Sequence, residues 1–334
     1  METPRAGLDP PIPRDQRGEP RTVGVEIELT GLEVGAIAET VARLFDGKVS
    51  RETDYLARVT TWLGEFRVEV DLHLLQQIGK NRAAHSNGAV VSALRDAVAS
   101  VAELIAPLEV VTPPLPYTEL PRVDELADAL GAAGGRGTHA GLLQALGLHF
   151  NPQPPDVSAA TIHSTIRAFA ILEPWLRNRS GIDVSRKLTP FVDPYPAAYV
   201  ERLLVQEVPP TMDRLISEYL RYNATRNRGL DVLPLFASID RGRVMAAVAD
   251  PRIKARPTFH YRLPDSRVGE PGWRVTDEWR LWLLVEDVAA SRRQMARLAE
   301  AYAATLHGTS AASAQHEWAG RCEVLLDSTT PPPA

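Results

Sequence analysis

The chain has 334 residues, 44% of them hydrophobic and 24% charged, with a formal net charge of −5. This composition suits a soluble globular protein with a sizeable core, and it excludes a general nucleic-acid binder, which is normally basic. Cys322 is the only cysteine, so a disulfide framework and a thiolate metal cluster are excluded too.

Residues 1–20 are polar and proline-rich and read as a disordered tail with no apolar core of a signal peptide. No apolar run reaches the roughly 18 residues of a membrane span, so the default compartment is the cytosol. The segment RTVGVEIELTG (21–31) then alternates: Val23, Val25, Ile27 and Leu29 share one face, and Glu26 and Glu28 the other. That is the pattern of a strand over about 22–30. VGAIAETVARLF follows with helical spacing. LGEFRVEVDL (63–72) alternates again, with Phe66, Val68 and Val70 opposite Arg67, Glu69 and Asp71. Ser86 is placed to cap a long amphipathic helix beginning at NGAVV. LEVVT (108–112) is a short β-branched strand stopped by Pro113 and Pro114.

A helix around 122–131 and the loop AAGGRGTHAG lead into a strand LGLHFN (146–151), with His149 and Asn151 on its polar face. Helical periodicity returns in SAATIHSTIRAFAILEPWL, with Pro174 near an end or a kink, and in TMDRLISEYLRY. PTFHYRLP (257–264) reverts to period two, setting His260 and Arg262 against Phe259, Tyr261 and Leu263. The longest helical pattern starts near Asp277 and ends before Gly308, and residues 326–334 read as a second disordered tail. Strands separated by whole helices and long loops predict an α+β fold with a mainly antiparallel sheet. With no clean linker, residues 21–325 read as a single domain.

The polar faces of these strands carry Glu, Asp, His, Asn and Arg rather than the Lys, Thr, Ser and Gln of an ordinary wet face. Residues two apart on a strand are about 7 Å apart, so their carboxylates can converge on one hard cation or bracket two. Oxygen ligands favour Mg²⁺ or Mn²⁺, and without an HExxH motif zinc is disfavoured. No GxxxxGK[ST] or GxGxxG motif is present. Local basic clusters, with Arg221, Arg226 and Arg228 in one segment and Arg252, Lys254, Arg256, Arg262 and Arg267 in another, suit a polyphosphate held between cations and arginines. The remaining histidines show no ligand spacing. Trp279 and Trp282, three apart on a helix, are expected to pack.

The ordered set GVEIELTG (24–31), GEFRVEVD (64–71), LEVVTPPL (108–115), GLHFNP (147–152), NRSGIDVSRKL (178–188) and KARPTFHYRLPDS (254–266) resembles the amidoligase family. That family belongs to the carboxylate–amine ligase superfamily, with glutamine synthetase and glutamate–cysteine ligase. The resemblance implies a curved sheet like the glutamine synthetase catalytic domain, with helices on one face and ATP, two or three Mg²⁺ or Mn²⁺ ions and the substrates on the other. It implies metal ligation by Glu26, Glu28 and Glu109, a place beside metal and phosphate for His149, and a phosphoryl-facing Arg262. Glu69 and Asp71 are the candidates for general base. Arg186, Arg226, Arg228 and Asn151 are candidates for nucleotide or carboxylate contacts. One departure stands out: His260 occupies a place where a glutamate metal ligand is expected. The function implied is ATP-dependent joining of a small-molecule or peptide carboxylate to an amine or ammonia through an acyl phosphate. A metal-dependent phosphohydrolase and an altered ligase-fold protein that binds a nucleotide or partner are the alternatives.

Overall fold

Alternation in TVGVEIEL produces strand β1 (Thr22–Leu29), whose Val23, Val25, Ile27 and Leu29 are fully buried. A computed structural model of the protein describes residues 7–70, 107–138, 146–180, 192–306 and 311–327. Within these, β1 is the centre of an open antiparallel sheet. It pairs on one side with β5 (Leu108–Val111) and on the other with β7 (Leu148–Pro152), while β6 (Leu115–Pro116) pairs with its start. The order across the sheet is β2 (Lys48–Thr53), β3 (Leu56–Thr61), β4 (Gly64–Val70), β5, β1, β7, β9 (His260–Tyr261) and β8 (Leu230–Asp231).

Helix α1 (Val34–Leu44) lies against β2, β3 and β4, and Phe45 just beyond it meets Phe66 of β4 in a tilted pair, 4.7 Å between ring centroids. Next come α2 (Leu120–Ala132), α3 (Ala159–Arg179), α4 (Ala197–Val205), α5 (Met212–Asn223), α6 (Leu233–Ile239) and α7 (Arg241–Val248). The last helices are α8 (Val275–Ala290), α9 (Arg292–Leu306) and α10 (Ala311–Asp327). Helices α3 and α8 cover the apolar side of β7 and β9: Phe150 meets Trp279 at 5.7 Å, and Tyr261 meets Trp282 at 5.2 Å and Phe169 at 6.1 Å. The two tryptophans therefore pack, as their spacing suggests. A buried bidentate pair, Arg21 with Glu286 at 2.6 and 2.7 Å, ties the start of β1 to α8. No helix among the described residues is long and apolar enough to cross a membrane.

Several boundaries differ from expectation. Residues 7–20 make specific contacts: Trp279 donates to the Leu8 carbonyl and Arg21 to the Ile12 carbonyl. The hairpin β2–β3 is an addition, because β2 is almost wholly exposed and carries no apolar face to betray it. Only His260 and Tyr261 of PTFHYRLP pair as a strand. The long C-terminal pattern is two helices. Ser291 leaves the helical conformation (φ −107°, ψ 98°), and its hydroxyl accepts from the Gln294 amide as the cap of α9. Pro174 sits inside α3, toward its C-terminal end. The helix expected after Ser86 and the tail after Asp327 lie outside the described residues.

Cys322 is buried with its thiol pushed up to about 12 by burial, which leaves it an inert packing residue. Glu278 on α8 is buried as well, and burial pushes its carboxyl up to about 7, partly offset by Arg267. The folded chain thus holds a proton between pH 4.5 and about 7 that the unfolded chain releases. Stability from this group is complete below the unfolded value and is lost as pH rises through 7. Glu278→Gln is therefore expected to stabilise the protein at pH 8, by up to about 3 kcal/mol, and to change little below pH ~4.5. Urea melts at the two pH values check this, and an equal effect at both would refute it.

Candidate metal and phosphate site

Period two directs Glu26 and Glu28 to the side of β1 opposite its buried valines, and antiparallel register brings them their neighbours. Glu28 is opposite Glu109 on β5, which is in turn opposite Glu69 on β4, so three carboxylates form a row across three strands. One rung along, Glu26 is opposite His149 on β7. The pairing of Phe150 with Tyr261 then brings β9 alongside, and Asp231 of β8 is opposite His260.

The side chains close on one another. His149 Nδ1 is 3.1 Å from Glu26 Oε2, and its Nε2 is 3.8 Å from Glu28 Oε1. Asn151 donates to Glu26 Oε1 at 2.8 Å, and Arg256 donates to the Asn151 side-chain oxygen at 2.5 Å. Arg256 lies 3.7 Å from Glu26, and His260 Nε2 lies 3.5 Å from Glu26 Oε2. The rings of His149 and His260 meet edge to face at 5.4 Å. Glu28 accepts the Gly147 amide at 2.7 Å.

Burial works against ionising Glu26, yet the imidazoles of His149 and His260 beside it hold its carboxyl well below the usual range. His149 is pushed down to about 3, chiefly by burial, although its contact with Glu26 acts the other way. At neutral pH the pair is thus a carboxylate beside a neutral imidazole, which keeps a lone pair to offer. Two groups of three could each hold a cation, Glu26–His149–His260 and Glu28–Glu109–His149, with ligand atoms within 4.8 Å of one another. The donor set fits a divalent ion. In particular His260 is 4% exposed, and neither ring nitrogen has a hydrogen-bond partner.

Gly147 is required by close approach. A Cβ there would come within 2.4 Å of His149 Nε2, a ring already fixed between two carboxylates. Gly147→Ala is expected to turn the ring out of place and weaken metal binding about 10–100-fold, as loss of a supporting contact does. Mn²⁺ titration with a parallel thermal melt checks this. Unchanged affinity in a folded variant would remove His149 from the ligand set.

The other expected residues are distributed unevenly. Glu69 joins the carboxylate row and pairs with Arg67 at 3.1 Å. Arg262 donates to the Arg226 carbonyl at 2.7 Å, and its charge lies within reach of Asp231, Glu28 and Glu26. Arg228 donates to the carbonyls of Pro194 and Tyr222. Asp71 and Arg186 lie outside the described residues. Two residues not singled out from the sequence also belong here, Arg256 and the fully buried Asp231. Arg256 stood within a recognised basic cluster. A strand as short as β8 leaves no period to point to Asp231.

A family model with the description "Putative amidoligase enzyme" matches residues 19–284, which span every strand and every site residue above. No curated protein and no solved structure matches the chain.

Proposed function

Because the chain belongs to the amidoligase family, we propose that it is an ATP-dependent carboxylate–amine ligase on a glutamine synthetase-like sheet. The observation that carries this is the meeting of two potential ligand groups with a half-buried arginine on one sheet face. ATP with Mg²⁺ or Mn²⁺ would supply the activated phosphoryl group and neutralise its charge. Phosphoryl transfer asks little covalent chemistry of a protein, so positioning and charge are the work left to this chain.

Glu26, Glu28 and Glu109 would hold the divalent ions, with His149 between the first two. Arg262 meets charge that develops on the transferred phosphoryl group, and Arg226 and Arg256 flank it. The substrate carboxylate would take the γ-phosphoryl group of ATP, releasing ADP and giving an acyl phosphate, and an amine or ammonia would displace phosphate to form the amide. Glu69, at the solvent side of the carboxylate row, accepts the amine's proton, with Asp71 as the other candidate. Arg186, Arg228 and Asn151 are assigned to nucleotide or carboxylate contacts. The substrates are small molecules or peptides rather than nucleic acid or membrane, and the setting is the cytoplasm.

The test is a screen for ADP release across carboxylate–amine pairs with Mg²⁺ and Mn²⁺. Stoichiometric ADP and amide that require both partners are expected. Phosphate release independent of the amine would instead identify a phosphohydrolase, and nucleotide binding without turnover an altered ligase.

A further inference from the structure

His260 stands where the family resemblance implies a glutamate, and its surroundings suit a second nitrogen ligand beside His149. The ring is 4% exposed, its Nε2 faces Glu26 Oε2 at 3.5 Å, and its Nδ1 faces Asp231 Oδ2 at 3.7 Å. Asp231 is fully buried. Its Oδ1 accepts the Leu233 amide at 2.9 Å, whereas its Oδ2 has no hydrogen-bond partner. An imidazole and a carboxylate oxygen left in the interior without partners are costly. With its proton on Nδ1 toward Asp231, the ring would present the Nε2 lone pair toward Glu26 and His149. A buried carboxylate behind a histidine that faces a potential ligand group is the usual support of a metal-binding imidazole.

We propose that the Glu26–His149–His260 group is a two-histidine, one-carboxylate site that selects a first-row transition ion over Mg²⁺, with Asp231 as the residue that orients His260. The proposal deepens the ligase reading and rests on it for the view that this face binds metal. The chemical reason is ligand type. Mg²⁺ takes oxygen donors and gives up its water reluctantly, whereas Mn²⁺, although it favours oxygen too, accepts an imidazole more readily, and the later first-row ions bind one well. Replacing a carboxylate by a neutral ring also removes the negative charge on which a hard ion depends most. The second group, Glu28 and Glu109 with His149, keeps its two carboxylates and remains suited to Mg²⁺. A neutral imidazole has one lone pair, so His149 serves one group at a time.

Binding is measured on the metal-stripped full chain without nucleotide, by Mn²⁺ titration followed by EPR and by Mg²⁺ competition. Wild type is expected to prefer Mn²⁺ to Mg²⁺, and His260→Glu to reduce that preference by at least about tenfold. His260→Gln, neutral and of similar size, is expected to lose the preference as well and keeps the test intact if the glutamate variant does not fold. The nitrogen coupling to bound Mn²⁺ should fall by one imidazole in His260→Gln. Asp231→Asn should weaken Mn²⁺ about 10–100-fold and add nothing further in the His260→Gln background. Equal Mn²⁺/Mg²⁺ ratios in wild type and both His260 variants, or an unchanged nitrogen count, would overturn the proposal. A transition-ion preference without amide formation from any pair would leave it standing and defeat the ligase reading instead. Ligase activity with no such preference would do the reverse.

Discussion

Glu26→Gln is expected to lower metal-dependent turnover by about 10³-fold or more, because a charge that holds a catalytic ion is worth several kcal/mol. His149, Asn151, His260 and Arg256 all lie within 3.7 Å of its oxygens. Glutamine keeps the volume and one oxygen but removes the charge, and its amide nitrogen would point at a donor or a ring. Packing is nearly conserved, so loss of activity reports on charge rather than on folding. Glu65→Gln serves as control. That side chain sits on the same strand as Glu69 but forms an exposed pair with Arg58, and a surface pair contributes little. Turnover within tenfold of wild type in Glu26→Gln, measured as ADP release, would show that this residue holds no required ion.

Much of this was legible before the fold was known, for a physical reason. Where one face of a strand is buried and the other polar, period two is written into the residues, as it is in β1, β4 and β7, whereas β5 shows itself by its β-branched run and the prolines that stop it. The row Glu28–Glu109–Glu69 was legible as a face but not as a row, since only register makes the three direct neighbours. Elements without that contrast stayed hidden. The exposed β2 shows no alternation of environment, and the two-residue β8 is too short for any period, so Asp231 could not be joined to His260. The break between α8 and α9 did have a signal. Ser291-Arg-Arg-Gln294 has the spacing of a capping box, masked by apolar positions that continue on both sides. His260 stood out from the sequence as a departure, and its buried, unpartnered ring gives that departure a chemical meaning.

Arg262 offers a prediction in which two observables move in opposite directions. Its guanidinium is held by a hydrogen bond to the Arg226 carbonyl, and the charges of Asp231, Glu28 and Glu26 act on it. A cation fixed beside a metal-binding face repels the ion but stabilises negative charge that develops during transfer. Its value is therefore realised in the transition state rather than in the resting site. Arg262→Ala is expected to lower kcat by about 10³–10⁵-fold, the range for an arginine that meets phosphoryl charge. The same substitution should leave Mn²⁺ affinity unchanged or raise it, because one positive charge has gone from beside Glu26 and Glu28. Arg262→Lys should recover only part of the rate, since a flexible ammonium lacks the planar fork that both reaches the Arg226 carbonyl and faces the site. A merely structural arginine would behave differently: its loss would loosen β9, displace His260 and weaken metal binding in step with kcat. Parallel losses of affinity and rate would thus assign Arg262 to the scaffold, whereas a rate that collapses at undiminished affinity would assign it to phosphoryl transfer.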